Sequence, residues 1–177
     1  MSQIYCFEVV ESQEWLLPVD IGEFERLSLD GRVVRDWDPP EMVVLTHDEN
    51  GRPRTYSDFP WFGEDAPIFR TRAVERLAEV ALQYGQLLPL GGGAWLYNVT
   101  NVLDALDDEC SRIIYFDDGT ILAIDEYVFK GNEIGASEIF KLPIRVSPVF
   151  VTSRFVARVH DSGLVGVSLR LLWSPES

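Results

Sequence analysis

The side chains that could do chemistry in this sequence are few and badly spaced for it. His47 stands beside a turn and His160 near the end of a helix. Neither lies close to a Cys or Ser in a nucleophile motif, and the pair lacks metal-ligand spacing. Gly91-Gly92-Gly93 is followed by no Lys-Ser/Thr and precedes a strand, so it reads as a hairpin loop rather than a phosphate cradle. The densest carboxylate cluster is Asp104-Ala105-Leu106-Asp107-Asp108-Glu109, where a divalent cation would be sought first. A calcium loop alternates oxygen ligands around a central Gly and ends in Glu, and that spacing is missing. Asp107 and Ser111 are instead at turn-capping distance, where either side chain can satisfy free backbone N–H groups. One enzymatic reading stays open, a Mg²⁺-dependent activity on these carboxylates; the reading preferred here has no catalytic residue, no metal and no cofactor. Cys6 and Cys110 are too few for a disulfide scaffold or a zinc site and read as small core residues in a reducing cytoplasm.

The elements that must position these groups follow from hydrophobic period and turn chemistry. Ile4–Val10 reads as a first strand, and Arg32-Val33-Val34 and Met42-Val43-Val44-Leu45 as short strands around Asp38-Pro39-Pro40. Residues 11–30 have apolar content without a clean period. Asp48-Glu49-Asn50-Gly51 is a tight turn, because Asn-Gly supplies positive φ. Ala73, Val74, Leu77, Ala78, Ala81 and Leu82 recur at steps of three and four, which predicts a helix over 71–84, capped by Thr71 and ended by Gly85. Two hairpins follow, one around the triple glycine and one around Asp117-Asp118-Gly119. Tyr127-Val128-Phe129 and Ile139-Phe140-Lys141-Leu142 are further strand candidates. A second helix spans about 152–162 with Phe155, Val156 and Val159 inward, and Val165–Trp173 is a final strand. Strands and hairpins with two separated principal helices make an α+β fold, mostly antiparallel, in a single domain over 1–177.

Length and charge set the outer bounds. The chain has 177 residues with 29 Asp and Glu against 15 Lys and Arg, a formal net charge of −14. That balance argues against nucleic acid as a direct ligand, since phosphate contacts need clustered cations. No apolar run approaches the roughly 18–20 residues of a membrane span, and the first residues lack the basic n-region of a secretion signal. A cytoplasmic protein is expected. Residues 1–70 hold 15 acidic and 6 basic side chains, a balance of −9, against 14 and 9, or −5, in residues 71–177. The surplus can be plain solubility, or a face that steers a basic partner. In the second reading Asp36, Asp38, Glu41, Asp48, Glu49, Asp58, Glu64 and Asp65 steer, and Trp61 and Phe62 anchor as interface aromatics. The alternative for the rings around Phe59-Pro60-Trp61-Phe62 is that they cover a core edge under a long loop.

The second half of the chain carries a resemblance. Leu88-Pro89, then Tyr97-Asn98-Val99 running into Val102-Leu103-Asp104-Ala105-Leu106-Asp107 and Ser111, is similar to a bacterial immunity-protein family of polymorphic toxin systems, the one numbered eleven. The likeness continues through Tyr127-Val128-Phe129, Ile139-Phe140-Lys141-Leu142, Val151-Thr152-Ser153-Arg154-Phe155 and Gly163-Leu164-Val165-Gly166 to Leu171-Leu172-Trp173, and covers about residues 65–173. It implies a non-enzymatic cytoplasmic antidote that binds and blocks one cognate toxin domain used in competition between cells. Asp104, Asp107, Ser111, Phe129, Phe140, Phe155 and Trp173 then read as scaffold. Residues 1–64 would be a variable, acidic N-terminal lobe that reads the toxin; that placement comes from the charge and not from the family. Self-association is left open.

Overall fold

The apolar stripe of residues 73–81 turns out to organise the middle of the molecule. A computed structural model describes residues 2–27 and 29–175. In chain order these form β1 (Ile4–Glu8), β2 (Trp15–Pro18), α1 (Glu23–Leu27), β3 (Met42–Leu45), β4 (Ile68–Arg70), α2 (Thr71–Tyr84), β5 (Gly85–Gly91) and β6 (Ala94–Val99). The remainder are β7 (Arg112–Tyr115), β8 (Ile121–Glu126), α3 (Gly131–Ile134), β9 (Ile139–Phe140), β10 (Phe150–Thr152), α4 (Ser153–Asp161) and β11 (Ser168–Trp173). The fold is α+β, and every sheet pairing is antiparallel.

Helix α2 buries Ala73, Leu77, Val80 and Ala81 in a core cluster with Phe7, Phe59, Phe69, Tyr97 and Phe155. Leu82 is about 100° round the helix from Ala81 and faces solvent. Thr71 does not cap this helix: its hydroxyl donates to the Gly93 carbonyl at 3.2 Å and so ties the helix start to the β5–β6 turn. Gly85 ends it for a different reason from the one expected. Its backbone is extended (φ −176°), and a Cβ there would stand 2.2 Å from the Asn98 carbonyl oxygen, so glycine is required by the close passage of β6. The glycine run then turns β5 back into β6 with all three residues at positive φ, in a three-stranded sheet of order β4-β6-β5.

The first strand lies far from its neighbours in sequence. In the sheet of order β11-β1-β10-β9, Tyr5 pairs with Val151 on one side and Leu171 on the other. β1 is therefore an inner strand between elements contributed by the last thirty residues. Ile4 joins Leu106, Phe129, Phe140 and Phe150 in a second cluster, and Leu16, Leu27, Ile68, Leu88 and Leu96 form a third. Two further ribbons are two-stranded sheets, β2–β3, which is bridged from Trp15 to Trp61, and β7–β8.

Several expected strands are not strands. Arg32–Val34 is irregular because side chains, not a neighbouring strand, satisfy its backbone. Gln86 accepts from the Val34 N–H at 2.8 Å and donates to the Val34 carbonyl, and Asn98 Nδ2 donates to the Arg32 carbonyl. Tyr127–Phe129 makes only a bridge, Leu106 to Phe129, and the final strand starts at Ser168 rather than Val165.

Candidate functional site

Asp58 was expected on the surface as a steering charge, and the fold buries it completely (0% exposed). Its carboxylate accepts the Val165 N–H at 2.8 Å, the Tyr56 hydroxyl at 3.1 Å and an Arg72 N–H at 3.2 Å. Arg72 also donates to the Gly163 carbonyl at 2.7 Å. Backbone bonds flank the carboxylate on both sides, Asp58 N–H to the Val165 carbonyl and Arg70 N–H to the Asp58 carbonyl. A charge surrounded by four elements of the fold cannot guide a partner through solvent; Asp58 joins the α4–β11 loop to α2.

The remaining acidic residues divide into separate places. Asp48 caps its own turn, accepting the Asn50 and Arg52 N–H groups at 2.8 Å each, while Glu49 stays exposed. Both line a groove of about 720 Å³ with Glu11, Trp15, His47 and Arg54. Arg54 stacks its guanidinium 4.3 Å over Trp15, donates to the Glu11 and Gln13 carbonyls and stands 4.0 Å from the Glu11 carboxylate. With Glu11, Asp48 and Glu49 against Arg54, the groove's balance is acidic. Glu41 lines a second groove of about 350 Å³ beside Met42, Val44 and Leu90. Asp36 and Asp38 are exposed on the loop between α1 and β3, which Trp37 holds by donating to the Pro89 carbonyl at 2.7 Å. Glu64 and Asp65 face other groups. Desolvation pushes the Glu64 carboxyl up against the pull of Arg170, and pushes Asp65 up against the pull of Lys141. Lys141 is itself buried and donates to the Leu29 carbonyl at 2.6 Å; burial holds its ammonium below the ordinary lysine value.

The expected anchors are half engaged already. Trp61 packs against the α2 core, and the Phe62 ring stacks on Phe24 with centroids 5.4 Å apart. Phe59 is fully inside. Most of this aromatic segment covers a core edge.

Of the residues expected as scaffold, Asp107, Ser111, Phe129, Phe140 and Trp173 meet around one backbone segment, and Asp104 and Phe155 do not. Asp107 accepts the Cys110 N–H at 3.2 Å, and its own N–H donates to the Val128 carbonyl. The Ser111 hydroxyl accepts the Val128 N–H at 3.0 Å and lies 3.2 Å from the Val128 carbonyl as donor. Asp107 and Ser111 thus splice the acidic turn to residue 128, and Phe129 next to it contacts Phe140, Phe150 and Trp173 with centroids 5.3–5.9 Å apart. Phe155 faces Phe7 in the other cluster, and Asp104 is exposed. Cys6 is buried, its thiol pushed up to about 11 by desolvation. Cys110 corrects the core reading for its partner: it is exposed, and the adjacent Asp107 carboxylate is the main cause of its raised thiol value. Both histidines are on the surface. Among the described residues no group of three His, Cys, Asp or Glu side chains gathers closely enough to hold a metal ion.

A sum of charge by halves conceals the most acidic stretch of all. Residues 104–126 carry eight carboxylates (Asp104, Asp107, Asp108, Glu109, Asp117, Asp118, Asp125 and Glu126) against Arg112 alone, a balance of −7. The signal was available as a running charge count, and it falls on β7, β8 and the turns around them.

The described residues form a charged α+β domain with aromatic clusters in its core. The family described as Immunity protein family (Imm11) matches residues 78–172, more than half of the chain, and the chain belongs to that family. The matched span runs from the middle of α2 to the penultimate residue of β11 and includes six of the seven residues expected as scaffold, all but Trp173. Comparison with curated proteins found no match. Among the described residues no helix is long and apolar enough to cross a membrane.

Proposed function

We propose that this chain is a cytoplasmic immunity protein of a bacterial polymorphic toxin system, which neutralises one cognate toxin domain by stoichiometric occlusion. Membership of the immunity family carries the reading. The charge supports a cationic partner: a surface bearing much of a net −14 attracts a basic domain and repels nucleic acid and anionic lipid. A nuclease is the natural toxin class, because a groove that holds a phosphate backbone must be basic, and an acidic protein seated there displaces the substrate. Such inhibition needs no reaction and no cofactor. It requires only that the complex outlast an encounter with substrate.

The test searches the neighbouring reading frames for a secreted protein with a toxic C-terminal domain and co-expresses that domain with this chain. Protection from its toxicity, together with a co-purifying complex of fixed stoichiometry, is the expected result. Replacing Asp36, Asp38, Glu41 and Glu49 by Lys should slow association at least about tenfold at low salt, and the difference should shrink as ionic strength rises. Toxicity undiminished by an equal amount of folded protein would overturn the proposal.

A further inference from the structure

Resting on the immunity reading above, we infer that the β7–β8 ribbon is a principal toxin-docking element, presenting apolar anchors and carboxylates to a basic face of the toxin domain. Among the described residues the ribbon pairs with no other strand, which leaves the outer edges of β7 and β8 open. One of its faces is anchored: Ile113 and Ile124 are register partners and pack against the Phe129 cluster. The rest projects. Tyr115, Phe116 and Leu122 are 52%, 53% and 53% exposed, and Ile114 is exposed beside Ala123, its partner in β8. Rings left in water on a structured ribbon are the side chains that interfaces use as anchors.

The acid around the ribbon selects the occupant. Asp117 and Asp118 form its tip, Asp125 and Glu126 its base, and Arg112 is already paired with Asp125 at 3.5 Å. Asp118 is spoken for in part, since it accepts the Thr120 N–H at 2.9 Å and rigidifies the turn. A second copy of this chain is disfavoured, because edge-to-edge pairing would set one −7 segment beside another, and like charge on an open edge suppresses self-pairing. Nucleic acid and an anionic membrane are disfavoured by the same sign. A protein surface rich in Lys and Arg with an apolar recess satisfies both the rings and the carboxylates.

The experiment measures binding of the full chain to a catalytically disabled form of the adjacent toxin domain, with hydrogen exchange of the free and bound chain. Phe116→Ser with Leu122→Ser should weaken affinity at least about 30-fold, the loss expected for interface hot spots. Amides of residues 112–126 should exchange more slowly in the complex. Leu82→Ser, an exposed apolar side chain on α2 outside both acidic regions, should bind within threefold of wild type. Asp117→Asn with Asp118→Asn leaves every apolar contact of the ribbon in place and should slow association, so the inference stays testable even if the serine pair folds poorly. Wild-type affinity in both ribbon variants, with unchanged exchange over 112–126, overturns the inference while leaving the immunity function standing. A free chain that dimerises and becomes monomeric in the serine pair also overturns it, making a second copy the occupant. Failure of the wild-type chain to bind the toxin domain overturns the function itself, and this inference with it.

Discussion

Asp58→Ala separates a structural carboxylate from a steering one, and its magnitude can be worked from the contacts. The substitution removes the acceptor of the Val165 N–H at 2.8 Å, and a backbone donor left without its partner inside the fold costs about 1–3 kcal/mol. The Tyr56 hydroxyl and the Arg72 guanidinium also lose their acceptor, but both side chains are about half exposed and can turn to water. Each then adds only a few tenths of a kcal/mol, in the range of solvent-exposed pairs. The total is about 3 kcal/mol. For a domain of this size that corresponds to a fall in melting temperature of roughly 6–12 °C. Asp58→Asn retains one carbonyl oxygen for the Val165 N–H and should lose about half as much. Calorimetric melting of the three proteins supplies the first readout, and association kinetics of the folded variants with the toxin domain the second. The structure predicts a large melting shift with an unchanged association rate. Melting within about 2 °C of wild type, with slowed association, would show that Asp58 works as a surface charge and would refute the burial argument.

Three other outcomes follow from particular residues. Gly166 has φ +80° and a Cβ there would come within 2.4 Å of Ser57 Cα, so Gly166→Ala should lower the denaturation midpoint far more than Gly92→Ala, whose added Cβ meets nothing within 4 Å and costs only the left-handed penalty of about 1–2 kcal/mol. Glu138 is held below the ordinary glutamate value of 4.5, chiefly by hydrogen bonds from Arg158 at 2.7 and 2.9 Å. Its stabilising share is therefore full above about that pH and lost as pH falls through the folded value, and Glu138→Gln should flatten the acid limb of stability against pH. Glu64 and Asp65, raised by burial, act in the opposite sense: their share is present in acid and lost as pH rises through their folded values. Thiol labelling of the native protein should modify Cys110 alone, slowly at neutral pH, with Cys6 reacting only after denaturation.

The local grammar of the fold was legible and its long-range pairings were not. Steps of three and four from Ala73 to Ala81 located α2, and the glycine run and Asp117-Asp118-Gly119 located both hairpins, because helix period and turn chemistry are written in adjacent residues. Nothing adjacent to Ile4–Glu8 announces that this strand lies between β10 and β11, since register across about 150 residues depends on which faces are buried together. Arg32–Val34 has strand-like composition, but Gln86 and Asn98 supply the hydrogen bonds that a neighbouring strand would have supplied.

The site was read less well than the fold for a related reason. A carboxylate's formal charge does not reveal whether it meets water or an N–H group, and Asp58 and Asp48 meet N–H groups. Trp61 and Phe62 have interface-like identity but much of their surface is already covered by the core and by Phe24. Asp107 fared better, because turn capping is local and it accepts the Cys110 N–H three residues on, whereas Ser111 bonds the Val128 backbone, a long-range contact that its spacing does not announce. The exposed side of the β7–β8 ribbon is not legible in the sequence, because turn chemistry fixes the hairpin but not which of its faces is buried.

The central claim is neutralisation by stoichiometric occupancy of a basic toxin domain. A fixed amount of active toxin domain titrated with the full chain, at concentrations well above the dissociation constant, tests it most directly. The account predicts that residual toxin activity falls on a straight line and reaches zero at one equivalent. Complete inactivation by a small fraction of an equivalent would mean that the chain turns over as an enzyme, and full activity at several equivalents would mean that it is not the antidote; either result contradicts the account.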